Sequence, residues 1–192
     1  MQDIGFLCRQ LQTDSRVVLI DMDTSLQFHQ SHGKGLPGVY TREIFSKFGM
    51  PFDHIYAYKM TQTDPETVVE SIPEHLRAAY HWINVEVNPD KDYVKNPFNL
   101  IHKYFNRNDI AIVKLDIDND KIEQEFVQQL LQDQRFHETS VDNSSRALID
   151  HYYFEHHLEW TKEHNESLSF LQNYNQMEFQ HIIGFKNNHL VS

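Results

Sequence analysis

Short apolar runs, each bounded by polar or turn-forming residues, recur along the chain. They are Val17-Val18-Leu19-Ile20, His54-Ile55-Tyr56-Ala57-Tyr58, Tyr80-His81-Trp82-Ile83-Asn84-Val85, Ile110-Ala111-Ile112-Val113-Lys114-Leu115, Ile149-Asp150-His151-Tyr152-Tyr153-Phe154 and His181-Ile182-Ile183-Gly184-Phe185. The first and fourth are almost continuously apolar instead of alternating, as strands covered on both faces are.

Between the runs the period lengthens. Gly38 to Phe48 places Val39, Ile44, Phe45 and Phe48 near one side of a helix and stops at Gly49, a C-terminal cap signal. Asp64-Pro65-Glu66-Thr67-Val68-Val69-Glu70 opens with an Asp cap and a proline in the first turn, and Asn96-Pro97-Phe98 repeats that logic before Leu100, Ile101 and Tyr104. Lys121 to Leu131 has Ile122, Phe126, Val127, Leu130 and Leu131 at helical spacing. Asp133 to Arg146 is polar and reads as a helix end plus a loop, and His164 to Gln176 as a last helix.

Strands that alternate with helices predict an α/β fold, a Rossmann-like, doubly wound, mostly parallel sheet covered on both faces. No repeat, low-complexity tract or linker divides the chain, so residues 1–192 are expected to form a single domain. Sheets of this kind bind ligands outside the carboxyl ends of their strands.

Composition narrows the partners. With 17 Lys and Arg against 28 Asp and Glu, the net charge is −11, which argues against a nucleic-acid backbone or an anionic membrane as the main partner. The lone Cys8 rules out an internal disulfide and any multi-cysteine metal cluster. Asp3, Arg9, Asp14 and Arg16 interrupt any apolar signal core, and no run approaches the roughly 18 apolar residues of a spanning helix. A cytoplasmic protein is the expectation; the oligomeric state is open.

The strand ends carry the chemistry. Asp21 and Asp23 follow the first run, Lys59 the second, Asn84 to Asn88 surround the end of the third, Asp116, Asp118 and Asp120 follow the fourth, and Glu155, His156 and His157 the fifth. One reading is phosphoryl transfer of the haloacid dehalogenase type, in which a hydrophobic strand ends in Asp-x-Asp. Asp21 would then be the nucleophile, Asp23 the acid/base, Ser25 the following hydroxyl, Lys103 or Lys114 the cation, and Asp116 or Asp120 a ligand to Mg²⁺.

A longer resemblance points elsewhere. FDHIYAYK, YHWINVEVNP, NPFNLI, IAIVKLDID with a following IE, and ALIDHYYFEHH resemble, in this order, segments of FkbM-like S-adenosylmethionine-dependent methyltransferase homologues. Those segments read approximately FDxIYAWE, an aromatic-x-Asn-Val-x-Val strand, VKLDID with a trailing Glu, and a strand of Asp, aromatics, Glu and His. The match runs from Phe52 to His157, over half of the chain.

The resemblance implies a sheet of the class I methyltransferase type with S-adenosylmethionine over the ends of its first three strands. Asp21, Asp23 and Ser25 would form the first loop, Lys59 the second-strand position, and Asn84 with Val85 the third-strand contact. Asp116 and Asp118, with Glu155 and His157, would orient or deprotonate an oxygen or nitrogen acceptor, a small molecule or a glycan-like one. Two departures stand out. Met22-Asp23-Thr24 occupy the place of the usual small residues, and Lys59 replaces the carboxylate that accepts the ribose hydroxyls; an ammonium only donates, so a methyltransferase-like protein that binds without catalysis is the further alternative.

Bland alternatives accompany several of these residues. Asp118 or Asp120 would serve a helix N-terminus whatever else is true. Glu155 and His157 could share a strand face and invite a metal, but His156 would point away, and a hydrogen-bonded strand-end pair is the preferred reading over a metal. The aromatics from Tyr56 to Phe154 fit core and strand surface.

Overall fold

The computed structural model describes residues 12–24, 26, 51–133, 136 and 148–154. Its strands are β1 (Val17–Met22), β2 (His54–Tyr58), β3 (Tyr80–Ile83), β4 (Ile110–Leu115) and β5 (His151–Phe154), and its helices α1 (Pro65–Ser71), α2 (Pro97–Tyr104) and α3 (Asp120–Gln132). The five strands form one sheet in the order β3-β2-β1-β4-β5, and every adjacent pair is parallel.

Alternation along the strands divides the interior into two cores. Val18, Ile20 and Met22 of β1 join Ala111, Val113 and Leu115 of β4 on one face. Phe98 and Ile101 of α2 and Phe126, Val127 and Leu130 of α3 cover that face. Val17 and Leu19 join Ile110 and Ile112 on the other, covered by Val68 of α1 and by Ile72 and Phe52. Helices therefore lie on both faces, as the apolar runs of β1 and β4 require: all six positions of each strand are buried. Phe98 packs edge-on against Phe126 (5.4 Å between centroids) and Phe136 (5.0 Å), fixing α2 against α3.

Caps start the helices where their residues predict. Asp64 accepts from Thr67 N, Asn96 from Phe98 N, and proline follows each cap. For α3 the N-terminal cap is Asn119, whose side chain accepts from Ile122 N, and Asp120 is the first residue of the helix. Asp118 takes a left-handed turn (φ 56°) that redirects the chain from β4 into α3.

β3 ends two residues before Val85, and β5 begins at His151. The predicted helix 38–48, the last helix, the run 181–185, Ser25, Glu155, His156 and His157 lie outside the described residues. Among the described residues no helix is long and apolar enough to cross a membrane.

The amino edge of the sheet is closed by three aspartates that precede strands. Asp53 donates its N–H to Val17 O (2.8 Å) and receives Val17 N–H on Oδ2 (2.7 Å). Asp150 does the same to Ala111, with both bonds at 2.9 Å. Asp109 accepts from Arg16 N (3.1 Å) and from its guanidinium, while the next residue, Ile110, donates to Arg16 O (2.7 Å). Burial works against charge on Asp109, but Arg16 and the amides of Asn106 and Arg16 outweigh it and hold its carboxyl below the usual range.

Candidate functional site at the carboxyl edge

The strand order reverses between β1 and β4: the chain moves outward through β2 and β3, then returns to the far side of β1. Such a switch point opens a crevice at the carboxyl ends of the strands. Asp21, Asp23, Lys59, Asn84, Lys114 and Asp116 all lie at or next to that edge.

Asp21 and Lys114 are register partners in adjacent strands, so their side chains leave the sheet on the same face. Lys114 Nζ lies 3.2 Å from Asp21 Oδ1 and 3.1 Å from Asp116 Oδ2. The side chains of Lys114 and Asp21 are 5% and 1% exposed, that of Asp116 20%. Burial would push the Lys114 ammonium down, but the two carboxylates prevail and raise it above its ordinary value, so it stays charged. The convergence of carboxylates expected from the sequence is real and has a cation at its centre.

Nearer the surface, Met22 gives way to a turn. Asp23 adopts φ 61°, a left-handed conformation that glycine adopts at least cost and Asp tolerates. Thr24 N donates to Tyr58 O (3.0 Å), tying the turn to the end of β2, and Thr24 Oγ1 and Tyr80 OH form a buried hydrogen bond at 3.2 Å. Lys59 Nζ donates to Asp23 Oδ1 at 2.6 Å, with each side chain about a quarter exposed (27% and 26%). Asp23 and Lys59, at the ends of adjacent strands, are therefore in contact.

Asn84 is occupied differently from the expected ligand contact. Its amide donates to Lys59 O and Thr61 O, both at 2.8 Å, and its Oδ1 accepts from Thr63 N at 3.0 Å. Both amide hydrogens serve the segment after β2, so Asn84 sets the path of the chain at Lys59. Val85 packs against the first core.

Glu123 of α3 is 1% exposed and accepts from Ile117 N at 2.8 Å, bracing the turn after β4 next to Asp116. Only the trailing Glu of the β4 motif pointed to it.

For the phosphoryl-transfer reading, Asp21 is 1% exposed and in contact with Lys114, whereas a nucleophile must reach phosphorus. Lys103 lies in the last turn of α2, which leads into the amino end of β4, so it stands at the opposite edge from Asp21; its ammonium lies 5.1 Å from the centroid of the Tyr104 ring. Among the described residues, no group of three or more His, Cys, Asp or Glu is arranged to hold a metal.

These features define a parallel α/β sheet in the Rossmann-like order, with a charged cluster at its switch point. Comparison with protein-family models, curated proteins and solved structures finds no match for this chain.

Proposed function

We propose that this chain is a methyltransferase-like domain that binds S-adenosylmethionine across the carboxyl ends of β1, β2 and β3 and methylates an oxygen or nitrogen of a small-molecule or glycan-like acceptor. One observation carries the reading: the order β3-β2-β1-β4-β5 brings the ends of YHWINV and FDHIYAYK on one side of β1, and of VKLDID on its other side, to the same edge of the sheet, although they are separate in sequence. The turn at Asp23 supports it, because its left-handed φ is one that glycine adopts at least cost.

S-adenosylmethionine supplies an activated methyl group, so the protein's part is to hold the acceptor in line and take its proton. Asp116 is the residue best suited to this. It follows β4 at the switch point, remains 20% exposed, and has one oxygen held by Lys114 at 3.1 Å. Asp118 is exposed on the next turn, and Glu155 and His157, which lie outside the described residues, are further candidates.

Calorimetry of the full chain with S-adenosylmethionine and S-adenosylhomocysteine tests the proposal. Saturable heat is expected for both, and no heat at millimolar ligand would overturn it. So would Mg²⁺-dependent turnover of p-nitrophenyl phosphate that disappears in Asp21→Asn, since that places the chemistry on a phosphorylated aspartate.

A further inference from the structure

Resting on that reading, we propose that Asp23 is the carboxylate that receives the vicinal hydroxyls of the nucleoside ribose, with Lys59 as the residue that positions it. The acceptor has moved from the end of β2 to the turn after β1. A vicinal diol presents two donors and is best met by a carboxylate; the ammonium at the end of β2 cannot accept either.

The geometry makes the two positions a single locus. Lys59 Nζ touches Asp23 Oδ1 at 2.6 Å, so the β1 carboxylate stands beside the place from which the β2 carboxylate is missing. A carboxylate has about four lone-pair sites, and one contact with Lys59 leaves acceptor capacity for two hydroxyls. Exposure separates it from its neighbour: the Asp23 side chain is 26% exposed and can meet a ligand, whereas Asp21 is 1% exposed against Lys114.

The turn is also held in place before any ligand arrives. Thr24 N is bonded to Tyr58 O, Thr24 Oγ1 to the buried Tyr80 hydroxyl, and the Lys59 backbone N–H to Ile83 O at 3.1 Å. A fixed carboxylate loses less entropy on meeting the diol than a mobile one. Asp64, the other carboxylate close after β2, is committed to its helix: its Oδ2 accepts both Thr67 N (3.0 Å) and Thr67 Oγ1 (3.2 Å).

The test compares S-adenosylhomocysteine with its 2′,3′-dideoxy analogue by calorimetry on the full chain. Wild type is expected to prefer the diol-bearing ligand roughly ten- to a hundredfold, the effect of losing charge-assisted hydrogen bonds. Asp23→Asn should lose most of that preference, while Lys59→Met, which releases the carboxylate but leaves it present, should weaken the diol-bearing ligand more than the dideoxy one and so reduce the preference without abolishing it. The paired exchange Asp23→Gly with Lys59→Glu returns a carboxylate to β2 and should restore the preference; failure to do so counts against the proposal. An undiminished preference in Asp23→Asn overturns it and leaves the methyltransferase reading intact. Absence of S-adenosylhomocysteine binding to wild type overturns both.

Discussion

Replacing Lys114 with methionine removes the cation shared by Asp21 and Asp116 while keeping most of the side-chain volume. At 3.2 and 3.1 Å, each contact is worth about 5 kcal/mol in gross Coulomb terms at an effective dielectric near 20. Desolvation of the ammonium and of Asp21 cancels several kcal/mol per ion, so the net value of the cluster is far smaller than the sum. The cost of removing one partner is not. The variant leaves two carboxylates facing each other without the shared ammonium, one of them 1% exposed, and such broken pairs cost about 3–5 kcal/mol. Asp21→Asn combined with Lys114→Met removes both members of the inner pair and should cost less than Lys114→Met alone. Urea unfolding of wild type, both single variants and the double variant gives the coupling free energy directly. A cost for Lys114→Met below about 1 kcal/mol, or an equal cost in the Asp21→Asn background, would refute the reasoning.

Other expectations are open to measurement. Burial pushes His151 down to about 4 from 6.5, so the folded protein holds it neutral where the unfolded chain takes a proton. That contribution is fully present above pH 6.5 and is lost as pH falls toward 4, amounting to about 3 kcal/mol. His151→Gln should flatten the acid limb of the stability curve by up to that amount, and an unchanged slope between pH 6.5 and 4 would exclude it. Asp118→Gly relieves the left-handed φ and is expected to raise stability by up to about 1 kcal/mol; a lower urea midpoint would contradict this. Asn84→Ala removes three hydrogen bonds and should cost about 1–3 kcal/mol, with faster hydrogen exchange at the Thr63 amide as the local signature; unaltered exchange there would count against the brace.

The sheet was legible because its signals are strong and local. Continuous apolar runs at 17–20 and 110–115 mark strands covered on both faces, and Asp-Pro and Asn-Pro mark helix starts by supplying a cap acceptor before a residue that needs no donor. The site was legible only as a set of residue types. Which charges meet depends on register and on which face each side chain leaves, and a shift of one residue reverses the face. Lys114 interrupts the apolar run of β4, a sign of a buried charge awaiting a partner, yet only the pairing with β1 identifies Asp21 as that partner. Lys59 and Asp23 looked like independent departures because 36 residues separate them; parallel pairing makes them neighbours. Asn119 caps α3 and Asp118 turns the chain with positive φ, and no periodicity in the sequence carries either.

The aspartates at the amino edge bear on the opposite end of the sheet. Each grips both the N–H and the C=O of one residue, or the equivalent pair around Arg16, and so indexes one strand against the next at its origin. Strands of six residues extend about 20 Å from that origin. A slip of one position at Asp109 would turn Asp21 toward the opposite core and leave Lys114 facing Met22. The alignment of charges at the carboxyl edge is thus set from the opposite edge of the sheet. Weakening Asp109 would be felt first as a misplaced Lys114.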